Sequence, residues 1–288
     1  MPGRQTDLAR AEALYKAELQ ETFTLVDVVP RDGDCLVRNA AIYRALVRAL
    51  VEGDFGDLVA ELRAAAMKVP SPGAPMMRAQ IVRALRKRAA DLNDYMAQRI
   101  DSAVAEVVDH RAVVNGTTVR LQQRLADAIA VAGTSGLTPC AMRELYLEVM
   151  GDPGTFLELE ALQALPPIVD SSVDLYHVGD IIPALLKGMA ALPVPSRRFS
   201  TGNASSSGPR SLVHDLRMQI FLSMNERHFY LMLPRSSPLA HLLSEVQQRM
   251  KPRLHPQPSA SPRQGAQGGA QSLSSAPSSG QGAQSLCL

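Results

Sequence analysis

The chain predicts an α/β (α+β) fold with helices in the majority. Three observations carry that prediction. Residues 54–150 read almost wholly as helix, with apolar residues recurring at spacings of three and four. Four short stretches read as strands: Phe23 to Val29, Val173 to Val178, Met218 to Leu222 and His228 to Leu233. Aromatic residues make up 4% of the chain and Trp is absent, which favours helices packed through Ala, Leu and Val.

The elements follow in order. Residues 5–21 form an amphipathic helix with Leu8, Ala11, Leu14, Tyr15 and Leu19 on one face. Phe23 to Val29 is the first strand or an extended lead-in. The turn Asp32-Gly33-Asp34 then precedes a helix from Cys35 to about Glu52, because Leu36, Ala40, Tyr43, Leu46, Val47 and Leu50 recur mostly at three and four. Gly53 and Gly56 interrupt it, and Leu58 to Val69 is a further helix. Pro70 to Pro75, with three prolines and a glycine, is a loop.

From Met76 to about Val114 a long or bent helix follows. Asn115-Gly116 is a turn, and a helix capped by Thr117 or Thr118 runs to Ala132. Thr138-Pro139 starts another, with Thr as cap and Pro in the first turn. Gly151 to Gly154 is a turn, Phe156 to Leu165 a short helix stopped by Pro166-Pro167, and Val173 to Val178 a strand. Arg197 to Pro209 is polar and reads as a flexible loop. Met218 to Leu222 and His228 to Leu233 form a hairpin, and Leu239 to Met250 is a closing helix. Beyond Pro252 the composition is Gln, Gly, Ser, Ala and Pro, which cannot bury enough apolar surface to order itself. The expected organisation is therefore one domain over 1–250 and a disordered tail over 251–288.

Composition excludes several functions. A formal net charge of +2 gives no global argument for nucleic acid. Arg83 to Arg88 is a basic cluster that reads as a solvated helix face, with an acidic partner surface as the other reading. Three widely spaced cysteines, Cys35, Cys140 and Cys287, form neither a disulfide framework nor a metal-ligand pattern, so no metal or other cofactor is expected. Met1 to Arg10 is polar and lacks the apolar core of a secretory signal peptide. No run is long enough to span a bilayer, so no membrane partner is expected.

The chemistry concentrates at Cys35. Asp-Gly is a turn signal, and a cysteine at a helix N-terminus meets free N–H groups and the positive end of the helix dipole, which favour a thiolate. A thiol nucleophile also needs a base, and His228, directly after the turn Met224 to Arg227, stands at a sheet edge. Backbone N–H groups of Gly33, Asp34 and Cys35 are candidate donors to an oxyanion. Cys140 and His177 read as packing residues, because no partner motif accompanies either.

Asp32-Gly33-Asp34-Cys35-Leu36, followed by Arg38, resembles the nucleophile motif of ovarian-tumour (OTU) domain cysteine proteases. Asn225-Glu226-Arg227-His228-Phe229 is similar to that family's histidine motif, a His followed by an aromatic. Gly154 to Leu162, then Val173 to Val178, resembles its glycine, its glutamate-leucine helix and the strand after it. The three matches stand in the family's order and cover roughly 23–52 and 144–234.

The resemblance implies a papain-like cysteine-protease core: a small sheet flanked by helices, needing no metal. It implies a deubiquitinase, hydrolysing the isopeptide or peptide bond after the C-terminus of ubiquitin or a related modifier. By position, Cys35 is the nucleophile, His228 the general base, and Asp32 matches an aspartate that in some members orients the histidine. The chain departs from the pattern at Val37, where the family usually has an aromatic, and at Tyr230, where many members carry Asp or Asn. The orienter is then Asp32 or, second, Asn225. The helical segment 54–150 is longer than the usual connection and resembles insertions in bacterial effector members, where the extra lobe contacts ubiquitin. The expected compartment is the cytoplasm, or a host cytoplasm reached without a secretory signal peptide. A non-catalytic ubiquitin-binding module and a plain helical interaction domain are the competing readings.

Overall fold

The structure is a computed structural model that describes residues 2–89, 123, 124, 127, 130, 131, 138–157, 159–178, 194–200, 216–224 and 226–250. Its contacts divide the chain into a unit Met1–Met250 and a unit Lys251–Leu288, the latter outside the described residues. The expected turn at Asn115-Gly116, the helix start at Thr117 or Thr118 and residues 90–114 of the expected long helix also lie outside them.

The elements are α1 (Pro2–Thr22), β1 (Phe23–Val26), α2 (Cys35–Glu52), α3 (Gly56–Ala66), α4 (Ala74–Ala89), α5 (Pro139–Gly151), α6 (Leu159–Ala164), α7 (Pro166–Val169), β2 (Val173–His177), β3 (Arg197–Phe199), β4 (Met218–Ser223), β5 (His228–Pro234) and α8 (Pro238–Met250). The fold is mixed α and β. One five-stranded sheet has the order β1-β5-β4-β2-β3. Its pairs are antiparallel except β2 with β4, which run parallel. Register sets Phe23 opposite Pro234 and Ser223 opposite His228.

Alternation along the strands sends side chains to two cores. Val26, Val173, Leu175, Ile220, Leu222, Phe229, Leu231 and Leu233 pack against α2, α4, α5 and α8 in the larger one. Phe23, Tyr176, Phe221, Tyr230 and Met232 pack against Tyr15 and Leu19 of α1 in the smaller. Helices thus cover both faces.

The expected bounds of α2 match the structure at both ends. Gly53 closes it at φ 72°, a left-handed conformation that glycine takes without strain. At the start of α5 the Thr138 side chain accepts from the Ala141 N–H at 3.2 Å, as the Thr-Pro signal predicts.

Four expectations need correction. Leu14 is 58% exposed, not on the buried face of α1. Glu12 is buried there instead, accepting hydrogen bonds from the Ser223 hydroxyl and from the Met224 N–H. Pro75 lies inside α4, because the first turn of a helix needs no donor there. Pro166-Pro167 opens the short α7 for the same reason, and the preceding helix starts only at Leu159. Arg197 to Phe199, read as loop, is the edge strand β3, fixed by the bidentate Arg198–Asp174 pair at 2.6 and 3.2 Å across the ladder.

Candidate active site

The turn before α2 is built from its own residues. The Asp34 N–H donates to Asp32 Oδ1 at 3.0 Å, and the Cys35 N–H donates to the Asp32 carbonyl at 3.2 Å. Asp34 is the N-cap of α2, yet its carboxylate does not bond its own helix. It accepts from Arg78 Nη2 at 2.6 Å and from the Gly154 N–H at 3.1 Å. The turn is therefore sewn to the loop after α5. Gly33 lies hard against that loop: a Cβ on it would stand 1.9 Å from the Gly154 carbonyl oxygen.

Arg78 of α4 is the hub. It is 3% exposed, and it donates to the Met150 carbonyl at 2.6 Å, the Gly33 carbonyl at 3.0 Å and the Thr155 carbonyl at 2.7 Å besides Asp34. Burial pulls its guanidinium below the ordinary value, and the Asp34 carboxylate opposes that. Two further side chains of α2 anchor the helix. Arg38 donates to the Val69 carbonyl at 2.7 Å and to Asp32 Oδ2 at 3.0 Å. Asn39 donates to the Phe229 carbonyl at 2.6 Å.

This last bond joins α2 to β5. One turn earlier on the helix, the Phe229 N–H faces the Cys35 sulfur, as does the Leu36 N–H. Cys35 is fully buried. Burial outweighs these donors and pushes its thiol up to about 12, with Asp32 and Asp34 adding to the rise.

His228, next to Phe229, is also fully buried. Neither ring nitrogen has a hydrogen-bond partner among the described residues, so no bond joins the imidazole to the thiol. The ring packs edge-on against Tyr230, centroids 4.4 Å apart at 78°. Burial lowers His228 to about 4, helped by Arg31 and Lys16 and opposed by Glu226 and Asp27. At neutral pH the pair is an uncharged thiol and an uncharged imidazole.

A charged cluster surrounds the imidazole. The Tyr230 hydroxyl donates to Glu226, Arg31 Nη2 donates to that hydroxyl at 3.3 Å, and Arg31 pairs with Glu226 at 3.2 Å. Lys16 stands 3.6 Å from Glu226 and 4.1 Å from the centroid of the Tyr230 ring. Burial works against charge on Glu226, but the Tyr230 hydroxyl, Lys16 and Arg31 outweigh it and hold the carboxyl below the usual range. On the other side of the strand, Phe156 stacks on Phe229 at 5.4 Å.

The structure thus brings Cys35 and β5 together at the N-terminus of α2, with His228 on the adjoining residue. Asp32 spends its two carboxylate oxygens on Arg38 and the Asp34 N–H, and it is not among the charges acting on His228. Of the three expected oxyanion donors, the N–H groups of Asp34 and Cys35 are engaged within the turn. Asn225 lies outside the described residues. Cys140, read as a packing residue, is exposed at the start of α5 instead, and His177 is half-buried at the end of β2.

Arg78, Arg31, Glu226 and Tyr230 carry contacts that the sequence reading did not assign. Arg78 had a visible signal: it stands three, four and seven residues before Ile81, Val82 and Leu85, on the apolar stripe, where a charge needs a buried partner. Among the described residues no group of three or more His, Cys, Asp or Glu could hold a metal ion. No helix among them is long and apolar enough to cross a membrane.

No protein-family model matches the chain, and no curated protein or solved structure matches it.

The two buried groups predict a stability profile. His228 binds its proton less readily folded than unfolded, so the unfolded state takes up protons first as pH falls from about 6.5 to about 4. Stability present above pH 6.5 is lost across that window, by up to about 3 kcal/mol. Cys35 has the opposite sign: its stabilising contribution is present below pH 9 and lost as pH rises toward about 12. Denaturant unfolding at pH 4.5, 7 and 10 checks both. A flat profile between pH 4.5 and 7 in wild type, or an undiminished slope in His228→Phe, contradicts the assignment to His228.

Proposed function

We propose that the protein is a thiol-dependent deubiquitinase with an OTU-like core, cleaving the bond after the C-terminus of ubiquitin or a related modifier. The observation that carries this reading is the meeting of the two motifs. The Cys35 sulfur at the start of α2 faces the backbone of β5 one residue from His228. The small mixed sheet with helices on both faces supports it, as does the packing of Gly33 on Gly154.

In this mechanism Cys35 attacks the carbonyl carbon of the last glycine of the Gly-Gly tail, and its proton passes to His228. Both groups start neutral, so proton transfer accompanies attack rather than preceding it. No bond joins the ring to the thiol in this structure, so the proton transfer requires the imidazole to reach the sulfur. The oxyanion is held by N–H groups of the 33–35 turn, and the Asp34 and Cys35 donors must leave the Asp32 carboxylate and carbonyl to reach it. His228 then protonates the leaving amine, and water activated by the same ring hydrolyses the thioester.

The test is a ubiquitin carrying a C-terminal electrophile, applied to the full chain. One adduct on Cys35 is expected, with none in Cys35→Ala. Labelling that survives Cys35→Ala overturns the assignment.

The burial of both groups, and the missing bond between them, favour a second reading: a ubiquitin-binding module without turnover. Binding of ubiquitin with neither probe labelling nor cleavage of any linkage decides for it.

A further inference from the structure

We propose that Glu226 and Tyr230 are positioning residues for His228, and that Arg31 is the cation set against them. The inference deepens the proposed thiol chemistry and rests on that reading for its meaning in turnover.

The position two residues after the histidine holds Tyr230, which has no carboxylate or amide to receive a ring proton. Its ring instead packs T-shaped against the imidazole, centroids 4.4 Å apart at 78°. The hydroxyl of the same tyrosine donates to Glu226, whose carboxylate is among the charges acting on the imidazole. The countercharge missing from position 230 is thus carried by residue 226, and the tyrosine links it to the ring. Asp32, occupied with Arg38 and its own turn, cannot serve in that role as it stands.

The cluster is balanced rather than simply acidic. Arg31 from the β1–α2 connection and Lys16 from α1 face His228 with positive charge, while Glu226 from the β4–β5 connection and Asp27 face it with negative charge. Arg31 and Lys16 both pair with Glu226, so each weakens the field the carboxylate presents to the imidazole. When Cys35 forms a bond to an electrophile, its proton moves to a nitrogen of His228. The imidazolium so formed is stabilised by Glu226 and opposed by Arg31. Removing either residue must therefore act on His228 with opposite signs. A rate of Cys35 alkylation that follows those two shifts is the signature a merely structural role lacks.

The experiment uses the full chain as wild type, Glu226→Gln and Arg31→Gln. Arg31 has a side chain 55% exposed, so its variant keeps the test open should Glu226→Gln fail to fold. Two readouts need no ubiquitin: the NMR titration of the His228 ring, and the rate of Cys35 alkylation by iodoacetamide, followed site by site by mass spectrometry. The titration midpoint is expected to fall by about half a pH unit or more in Glu226→Gln and to rise by as much in Arg31→Gln, a threefold change in the ratio of charged to neutral ring. Alkylation at pH 7 should slow in the first variant and quicken in the second, by similar factors. Equal midpoints in all folded proteins, or shifts of the same sign, overturn the proposal. Failure of wild type to react with the ubiquitin probe overturns the proposed function alone, because these two readouts still decide the role of Glu226 and Arg31.

Discussion

Gly33→Ala is expected to lower the unfolding temperature by about 6–12 °C, equivalent to about 3 kcal/mol lost to overpacking. The added Cβ would meet the Gly154 carbonyl oxygen at 1.9 Å, its carbon at 2.3 Å and the Thr155 carbonyl carbon at 2.7 Å. All three atoms are backbone, so no side chain can swing aside. Either the turn before α2 or the 152–155 turn must move, and Arg78 ties both together. Thermal unfolding of the variant beside Gly151→Ala measures this. Gly151 ends α5 with nothing within 4 Å of an added Cβ, so its substitution should be neutral or mildly stabilising. A Gly33→Ala protein that melts with wild type would show that the two loops are not in contact.

Arg78→Met is the second large effect, expected to cost about 3–5 kcal/mol. The substitution leaves Asp34 as a largely buried carboxylate without its cation, and three carbonyl oxygens lose their donor. Arg78→Lys should recover only part of the loss. An ammonium keeps the charge but cannot reach as many acceptors from one planar fork. Denaturant midpoints of the three proteins, at unchanged slope, give the comparison. Equal midpoints for wild type and Arg78→Met would mean that the hub contributes nothing.

What could be read from the chain alone follows a physical division. Elements whose signals are local came through: α2 has the Asp-Gly turn at one end and Gly53 at the other, and α5 has Thr138-Pro139. The β4–β5 hairpin was legible because each strand is an apolar run with a polar turn between. β3 was not, since Arg197-Arg198-Phe199 shows no alternation and owes its conformation to Asp174 on the neighbouring strand. Leu14 misled because apolar spacing reports a face, not its width, and Glu12 takes the buried place through Ser223 and Met224 far along the chain.

The site divides in the same way. Cys35 and His228 announce themselves by their neighbours in sequence. The environment of His228 does not, because Lys16, Arg31 and Glu226 come from three separate connections and elements that only the fold assembles. Asp32 was the first choice of orienter because the resemblance implied it, yet Arg38, one helical turn into α2, holds its second oxygen.

The opposition of Phe23 and Pro234 across the β1–β5 ladder has a consequence for the order of folding. The first strand made must wait for the last before it gains a partner, so the sheet closes through one of the longest loops the chain contains. Such pairing meets the full entropy of closure before any contact repays it, which makes assembly slow. During synthesis the Cys35 thiol leaves the ribosome long before β5 exists to enclose it. In that interval it has an unfolded cysteine's ordinary acidity and access to solvent. The protection the folded protein gives this sulfur is therefore the last thing the chain acquires, and a nascent or truncated chain ending before residue 228 lacks it.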